Sequence, residues 1–564
     1  MNNLRHLLIL NARPIRRAKF YCATVILLSP ALAFGQEQQE HAMRAPNSQQ
    51  AMLLEGMGDV HRTISTNSPE AQKFFDQGLA LIYGFNREEA ERSFRRAARL
   101  DPRAPMPLWG IALGLGPHIN MDMDGDVDFK EGYETIQKAL KLAADAPPHE
   151  RAFIEALAKR FSPDPNADEK KLSSDYRKAM ADLVKRYPDD LDAATLYAES
   201  IMCLSRWDYW NPDGSGKNGT DEFVSVLESV LRRDPSHLGA NHFYIHAVEA
   251  SPTPERALPS AARLMGLAPS AGHLVHMPGH IFLRTGDFAQ AVFTNEHAVK
   301  ADLDYIKESG TGAGVYTMGY TSHNFHFLVF GNSMAGRFTD ALKSAEELAI
   351  HVQPAMATMP PMVDFFGAQP LVVLYRFNRW DEILKIAEPD SKLPMTVALW
   401  HFARTCALAG TGKLGDARNE QKAFESSVHK LPKDYMMGIN SAESLCRIAA
   451  AIIDARLASD PAAAVEHWKR AVADQDLLRY DEPPAWFYPV RESLGGALLR
   501  AGRALEAEAV FREDLRLNPR NGRSLFGLMK SLEAQKKTHD LEWVRREFER
   551  AWRFAEVKLS VETL

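Results

Sequence analysis

Phe74-Phe75-Asp76-Gln77-Gly78-Leu79-Ala80-Leu81, followed by Ala90, Phe94, Ala97 and Pro102, is the stretch that decides the fold. With Gly78 at position 8 of a unit of about 34 residues, Ala90 falls at 20, Phe94 at 24, Ala97 at 27 and Pro102 at 32. Small residues at these positions let two antiparallel helices approach closely, and the proline ends the second helix. The frame returns near the C-terminus, where Gly495, Ala507, Phe511 and Pro519 occupy positions 8, 20, 24 and 32. Ala, Leu, Arg and Glu dominate between the breakers and alternating runs are few, so strands are not expected.

Two matches so far apart point to a tetratricopeptide-repeat (TPR) pattern along the chain. The fold predicted is all-α: a TPR-like α-solenoid, a superhelix of about a dozen antiparallel helix pairs whose first helices line the concave face. Residues 65–145 and 361–564 read as N- and C-terminal units and 236–360 as central units. The segment 146–235 is less regular and contains Trp207-Asp208-Tyr209-Trp210-Asn211-Pro212-Asp213-Gly214, read as a long inter-helix loop. A second insert, Ser309-Gly310-Thr311-Gly312-Ala313-Gly314, separates two central helices, either as a flexible connector or as a place where backbone approaches a ligand.

The 564 residues carry 67 Lys and Arg against 73 Asp and Glu, a net charge of -6 that argues against phosphate-backbone binding and hence nucleic acid. The four cysteines, Cys22, Cys203, Cys406 and Cys446, show no paired spacing, which leaves a disulfide scaffold, a CxxC site and c-type haem attachment unsupported. Arg5, Arg13, Arg16, Arg17 and Lys19 precede an apolar run from Phe20 to Phe34. That run is shorter than the roughly 20 residues a membrane span needs. Its end, Ala31-Leu32-Ala33, matches a small-x-small cleavage site, so residues 1–33 read as a signal peptide cut after Ala33 and 34–64 as a flexible linker. An uncleaved anchor is the alternative. The mature chain is then expected to be periplasmic or secreted, without a transmembrane span, by the general secretory route or, from the loose Arg16-Arg17 match, the twin-arginine route.

Eight of the 19 histidines fall between residues 242 and 326. In the repeat frame, His242 and His246 occupy positions 5 and 9, with Glu249 at 12. His273, His276 and His280 occupy 2, 5 and 9 of the next unit, and His323 and His326 occupy 2 and 5 of the one after. Those positions face the groove; only His297 falls on a second helix. Histidines four apart lie one turn apart on one helical face, a spacing suited to a transition metal. Neighbouring inner helices are about 10 Å apart, so rings from successive units can converge on one ion or a close pair. The set allows one three-imidazole site or two, for zinc, copper or iron. Glu249 and Glu199 are the candidate general bases beside it. Pro278-Gly279 between His276 and His280 can kink the helix. A metal site, a groove that binds a ligand through its histidines alone, and structural histidines all remain open.

Asn120-Met121-Asp122-Met123-Asp124-Gly125-Asp126-Val127-Asp128-Phe129-Lys130-Glu131 falls on the EF-hand loop pattern, with Asn120, Asp122, Asp124, Asp128 and Glu131 at oxygen-ligand positions and Asp126 among them. Asn120 departs from the expected Asp, so the alternatives are a modest calcium site and a solvated acidic loop. No nucleophile elbow, Walker loop, dinucleotide fingerprint or HExxH helix is present.

The chain resembles a group of exported bacterial TPR proteins of unassigned activity. The resemblance rests on Leu196–Ser200, Tyr244–Ser251, His273–His280, His323–Phe327 and Glu482-Pro483-Pro484-Ala485-Trp486-Phe487-Tyr488-Pro489-Val490-Arg491. It implies a solenoid with a metal-associated groove and supplies no substrate. Three functions follow as expectations. The first is an exported binding protein whose His-rich, metal-binding groove engages a peptide, a protein or a small molecule. The second is a metal-dependent hydrolase or oxidase built on the same histidines, and the third an envelope scaffold without metal.

Overall fold

The computed structural model describes residues 51–120, 128–311 and 314–564. The expected signal peptide, and Asp122, Asp124 and Asp126 of the acidic loop, lie outside them. Among the described residues the chain is all-α apart from one two-stranded hairpin, Met436–Met437 with Asn440–Ser441.

The N-terminal part carries α1 Pro69–Tyr83, α2 Arg87–Leu100, α3 Met106–Leu115, α4 Phe129–Leu142, α5 Pro148–Ala158, α6 Glu169–Arg186, α7 Leu191–Met202 and α8 Thr220–Arg233. The centre carries α9 Leu238–Val248, α10 Leu258–Leu267, α11 Gly272–His276, α12 Pro278–Arg284, α13 Phe288–Ser309, α14 Thr321–Met334 and α15 Phe338–Val352. Short helices α16 Pro360–Gly367, α17 Gln369–Arg376 and α18 Trp380–Ile383 follow. The chain ends in α19 Pro394–Gly410, α20 Leu414–Val428, α21 Ala442–Leu457, α22 Pro461–Asp476, α23 Arg491–Arg500, α24 Ala504–Leu517, α25 Gly522–Ala534 and α26 Thr538–Ala551. Successive helices pack as antiparallel neighbours, and first helices of adjacent units, such as α23 and α25, also touch.

The device that spaces the units is the same at both ends. Phe94 on α2 lies between Gly78 and Gly110, where an added Cβ would stand 2.6 and 2.5 Å from its ring. Phe511 on α24 lies between Gly495 and Gly527, where the distances would be 2.3 and 2.1 Å. One aromatic therefore keys a first helix to the first helix of the next unit, and it fits only because both facing residues, Gly78 and Gly110 or Gly495 and Gly527, are glycine. Helix starts are capped as their residues dictate: Ser68 accepts from the Ala71 amide and Asn86 from the Glu89 amide.

The segment 146–235 forms the helices α5 to α8, interrupted by two long non-helical stretches, 159–168 and 206–219. The linker expectation for 34–64 is corrected where the chain is described. Gln77 binds the Leu54 amide and the Met52 carbonyl, Gly56 accepts from Ser270, and Arg62 is paired with Asp190 and Asp192. Backbone groups and the Arg62 side chain tie the segment to the helices beside it. No helix among the described residues is long and apolar enough to cross a membrane.

Candidate metal centre

The structure gathers six of the seven groove histidines into two adjacent sets of three. His242 and His246 on α9 join His273 on α11; His276 on α11 and His280 on α12 join His323 on α14. The construction is the same twice. Positions 5 and 9 of one unit supply a pair one helical turn apart, and position 2 of the following unit supplies the third ring. His326 occupies position 5 of the third unit, but position 9 there is Phe330, so no further set is built. In each set the ligand nitrogens lie within 4.8 Å of one another. Bonds of about 2.0–2.1 Å to one ion place nitrogens roughly 3.3–3.6 Å apart, so small ring rotations close either set.

Pro278 interrupts the backbone ladder between α11 and α12, yet the two helices run on through Met277 with helical dihedrals, and His276 Nε2 stands 2.8 Å from His280 Nε2. The kink does not separate the pair. Gly279 has its own use: a Cβ there would fall 2.5 Å from Asn295 Nδ2, so its absence lets Asn295 reach His276.

Four of the six outer nitrogens are held. His242 Nδ1 donates to the Tyr83 carbonyl at 2.5 Å, and His246 Nδ1 to Glu249 Oε1 at 2.8 Å. His276 Nδ1 donates to Asn295 Oδ1 at 2.7 Å, an oxygen fixed by the bond from Asn295 Nδ2 to the Ala291 carbonyl. His280 Nδ1 faces Glu249 Oε2 at 2.5 Å and Glu482 Oε2 at 2.9 Å. These partners fix the tautomer and turn the Nε2 lone pairs inward, as the outer partners of metal-bound imidazoles do. His242 and His273 bring their Nε2 atoms to 3.2 Å, and the buried His246 Nε2 finds no hydrogen-bond donor. An inward lone pair without a donor is costly in the interior, and a cation satisfies it. In each set one aromatic ring touches all three histidines. Phe85, turned inward by a positive φ of 57°, is 4.4, 5.9 and 5.3 Å from the rings of His242, His246 and His273. Phe327 is 4.5, 4.7 and 5.0 Å from His276, His280 and His323.

Burial, reinforced by neighbouring imidazoles, pushes His242, His246, His273, His276 and His323 well below the usual histidine value, which keeps them neutral and fit to bind metal. His280 is the exception. Burial would lower it, but the Glu249 and Glu482 carboxylates override burial and hold it at about 10. Without an ion, a proton on His280 bridges to His276; an ion takes that proton's place.

The rings do not line an open groove, which corrects the expectation drawn from the repeat frame. Five of the six are at most 3% exposed. The end of α1, with Tyr83 and Phe85 beyond it, and the segment around Glu482 pack over the rings. Glu482 lies 202 residues from His280 on a stretch without helical periodicity. Its only sign in the sequence is its place in the Glu482–Arg491 segment of the resemblance.

Other expected residues go elsewhere. Glu199 is engaged by Cys203 Sγ at 2.9 Å and by Arg160 at 3.7 Å, outside both sets. Glu249 spans the outer nitrogens of His246 and His280, an orienting place rather than one facing an ion's open side. His326 packs against Phe365 and Phe366, and burial lowers it to about 3. The exposed His297 bonds its own helix at Phe293, in keeping with a structural role. At the ends of the acidic loop, Asp128 caps α4, Glu131 pairs with Arg95 at 2.6 Å, and the buried Asn120 bonds Tyr320.

No protein-family model matches the chain. No curated protein matches it in sequence. Among solved structures it is similar to yeast Tom70, at 12% identity over 90% of this chain and 94% of that one, with a TM-score of 0.29. It is also similar to the APC/C hetero-tetramer Cut9-Hcn1, at 10% identity over 88% and 81% with a TM-score of 0.31. A third is the human IFIT1 dimer with PPP-AAAA, at 11% identity over 88% and 92% with a TM-score of 0.29. At these values no ligand or activity transfers; the reading of this chain as a TPR-like solenoid stands on its own helix pairs and repeat spacing.

Proposed function

We propose that this chain is an exported TPR-like solenoid holding two copper ions in adjacent three-imidazole sites, and that it acts as a metal-dependent oxidase on a small molecule. The observation that carries the reading is the pair of matched sets, in each of which two histidines have Nδ1 held from behind and so turn Nε2 inward. Six imidazoles without an inner carboxylate, five of them kept neutral by burial and the sixth, His280, losing its proton as the ion binds, suit copper, since Cu²⁺ heads the affinity order for such nitrogen sets. Three protein ligands leave each ion an open position, the arrangement of catalytic rather than closed structural sites. Burial of the rings favours a reactant of few atoms over a peptide at the ions themselves.

Copper analysis of the purified chain, after loading and removal of loosely held ion, tests this. The expected content is two ions per chain, falling to one in the His276→Ala/His280→Ala variant while the helical signal stays. No retained copper, or unchanged content in that variant, refutes the assignment. Secretion of the full chain with cleavage after Ala33, read by N-terminal sequencing, tests the location.

A further inference from the structure

A line of tyrosines leaves the first histidine set. The π-helical turn Tyr316–Tyr320, just before α14, stacks Tyr316 on Tyr320 with centroids 5.4 Å apart and ring planes 22° from parallel. Tyr320 meets the His273 ring at 4.9 Å, and Tyr316 meets Tyr305 on α13 at 5.8 Å. All three are buried, Tyr305 being the most exposed at 7%. Beyond Tyr305 lies Arg92 on α2, whose side chain is 18% exposed and whose guanidinium donates to the Tyr305 oxygen at 3.0 Å.

Packing alone needs no phenols here, since a buried hydroxyl costs free energy unless it is bonded. Two of these phenols carry their own proton acceptors. Tyr316 donates to Asp302 Oδ1 at 2.8 Å and Tyr305 donates to Glu89 Oε2 at 3.0 Å, and both carboxylates are buried. Asp302 is in turn fixed by Asn324 and Thr321, at 2.7 and 3.2 Å. Stacked rings in contact, each outer phenol bonded to a buried carboxylate, are what stepwise transfer of one electron with a local proton shift requires.

We propose that Tyr320, Tyr316 and Tyr305 form a one-electron conduit between the ion held by His242, His246 and His273 and the surface at Arg92. The inference rests on the copper reading above. Hydrogen peroxide is the oxidant: it takes one electron from the copper(I) ion of the first set and one, through Tyr320 and Tyr316, from Tyr305, and with two protons becomes two waters. One ferrocyanide ion returns that copper(II) to copper(I) and becomes ferricyanide. As an electron leaves Tyr305, its phenol proton moves to Glu89 Oε2, leaving a neutral phenoxyl radical. A one-electron donor at the surface, here ferrocyanide, fills that radical and becomes ferricyanide, and the proton returns from Glu89.

The test uses the full chain loaded with copper, with content measured first, and the variants Tyr305→Phe and Tyr316→Phe. Peroxide without donor is expected to raise a tyrosyl signal by electron paramagnetic resonance in wild type. That signal is lost or moved in each variant, and ferrocyanide oxidation slows while copper content stays at the wild-type level. Tyr305 has no contact with a histidine ligand, so Tyr305→Phe keeps the test decisive if Tyr316→Phe disturbs the site. Two bound coppers with an unchanged radical and unchanged ferrocyanide rate in Tyr305→Phe overturn the conduit alone. A chain that retains no copper overturns the centre and the conduit together.

Discussion

The two histidine sets follow one construction rule and differ in what stands behind them. Behind the first are a backbone carbonyl, Tyr83 O on His242, and one oxygen of Glu249 on His246. His273 Nδ1 has no hydrogen-bond partner, and the ring leans on Tyr320 instead. Behind the second are the amide oxygen of Asn295 and two carboxylates, Glu249 and Glu482, converging on the single nitrogen His280 Nδ1. Like inner ligands with unlike outer partners teach that repeat geometry sets where the rings converge, while the surroundings differ from one set to the next. Carboxylates behind an imidazole raise its basicity, so under the proposed copper reading the second set is expected to be the stronger site and the first the more easily exchanged.

The largest effect expected from breaking this comparison is loss of one set outright. His242→Ala/His246→Ala and His276→Ala/His280→Ala are each expected to leave one ion per chain, and titration of the survivor gives each set's affinity alone. A single shared ion lost in both variants would refute two independent sets.

Next come the outer partners. Glu482→Gln is expected to weaken copper binding at the second set by about 10–100-fold and to leave the first unchanged. Glu249→Gln touches both His246 and His280 and is expected to weaken both. Competition with a chelator of known affinity reads the two constants, and equal loss at both sets in Glu482→Gln would remove the asymmetry.

A smaller effect probes the first set's surroundings through pH. Burial, only partly offset by Tyr316, Thr321 and Asn324, raises Asp302 from its ordinary 3.8 to about 7. An acid raised in the folded state contributes stability that is fully present below the unfolded value and is lost as pH rises through the folded one. The wild-type advantage over Asp302→Asn in thermal unfolding is therefore expected to shrink between pH 3.8 and about 7. A constant gap across that range would mean Asp302 is ionised throughout.

The repeat key lies away from both sets. Gly495→Ala pushes a methyl group against the Phe511 ring and is expected to cost about 1–3 kcal/mol of stability without changing copper content. The smallest effect belongs to His297→Ala, an exposed ring bonded only within its own helix. It is expected to stay within about 0.5 kcal/mol and to leave copper content unchanged.

The sequence by itself determined what depends on short-range spacing. Gly78, Ala90, Phe94 and Pro102 specify a helix pair because close approach and chain termination are local properties. His242 with His246, and His276 with His280, fall one turn apart on any helix. The frame even assigned positions 2, 5 and 9 to the six histidines that meet, because a solenoid repeats its local geometry. Only the tertiary structure decided which pair takes which third ring, and that His326 is left out for want of a partner at Phe330. It also decided that the groove is filled by Tyr83, Phe85 and Glu482 rather than open. Those partners come from other chain segments, Glu482 from 202 residues away on a stretch without helical periodicity. Their meeting depends on the summed small rotations of many packed units, and no local pattern in the sequence encodes that sum.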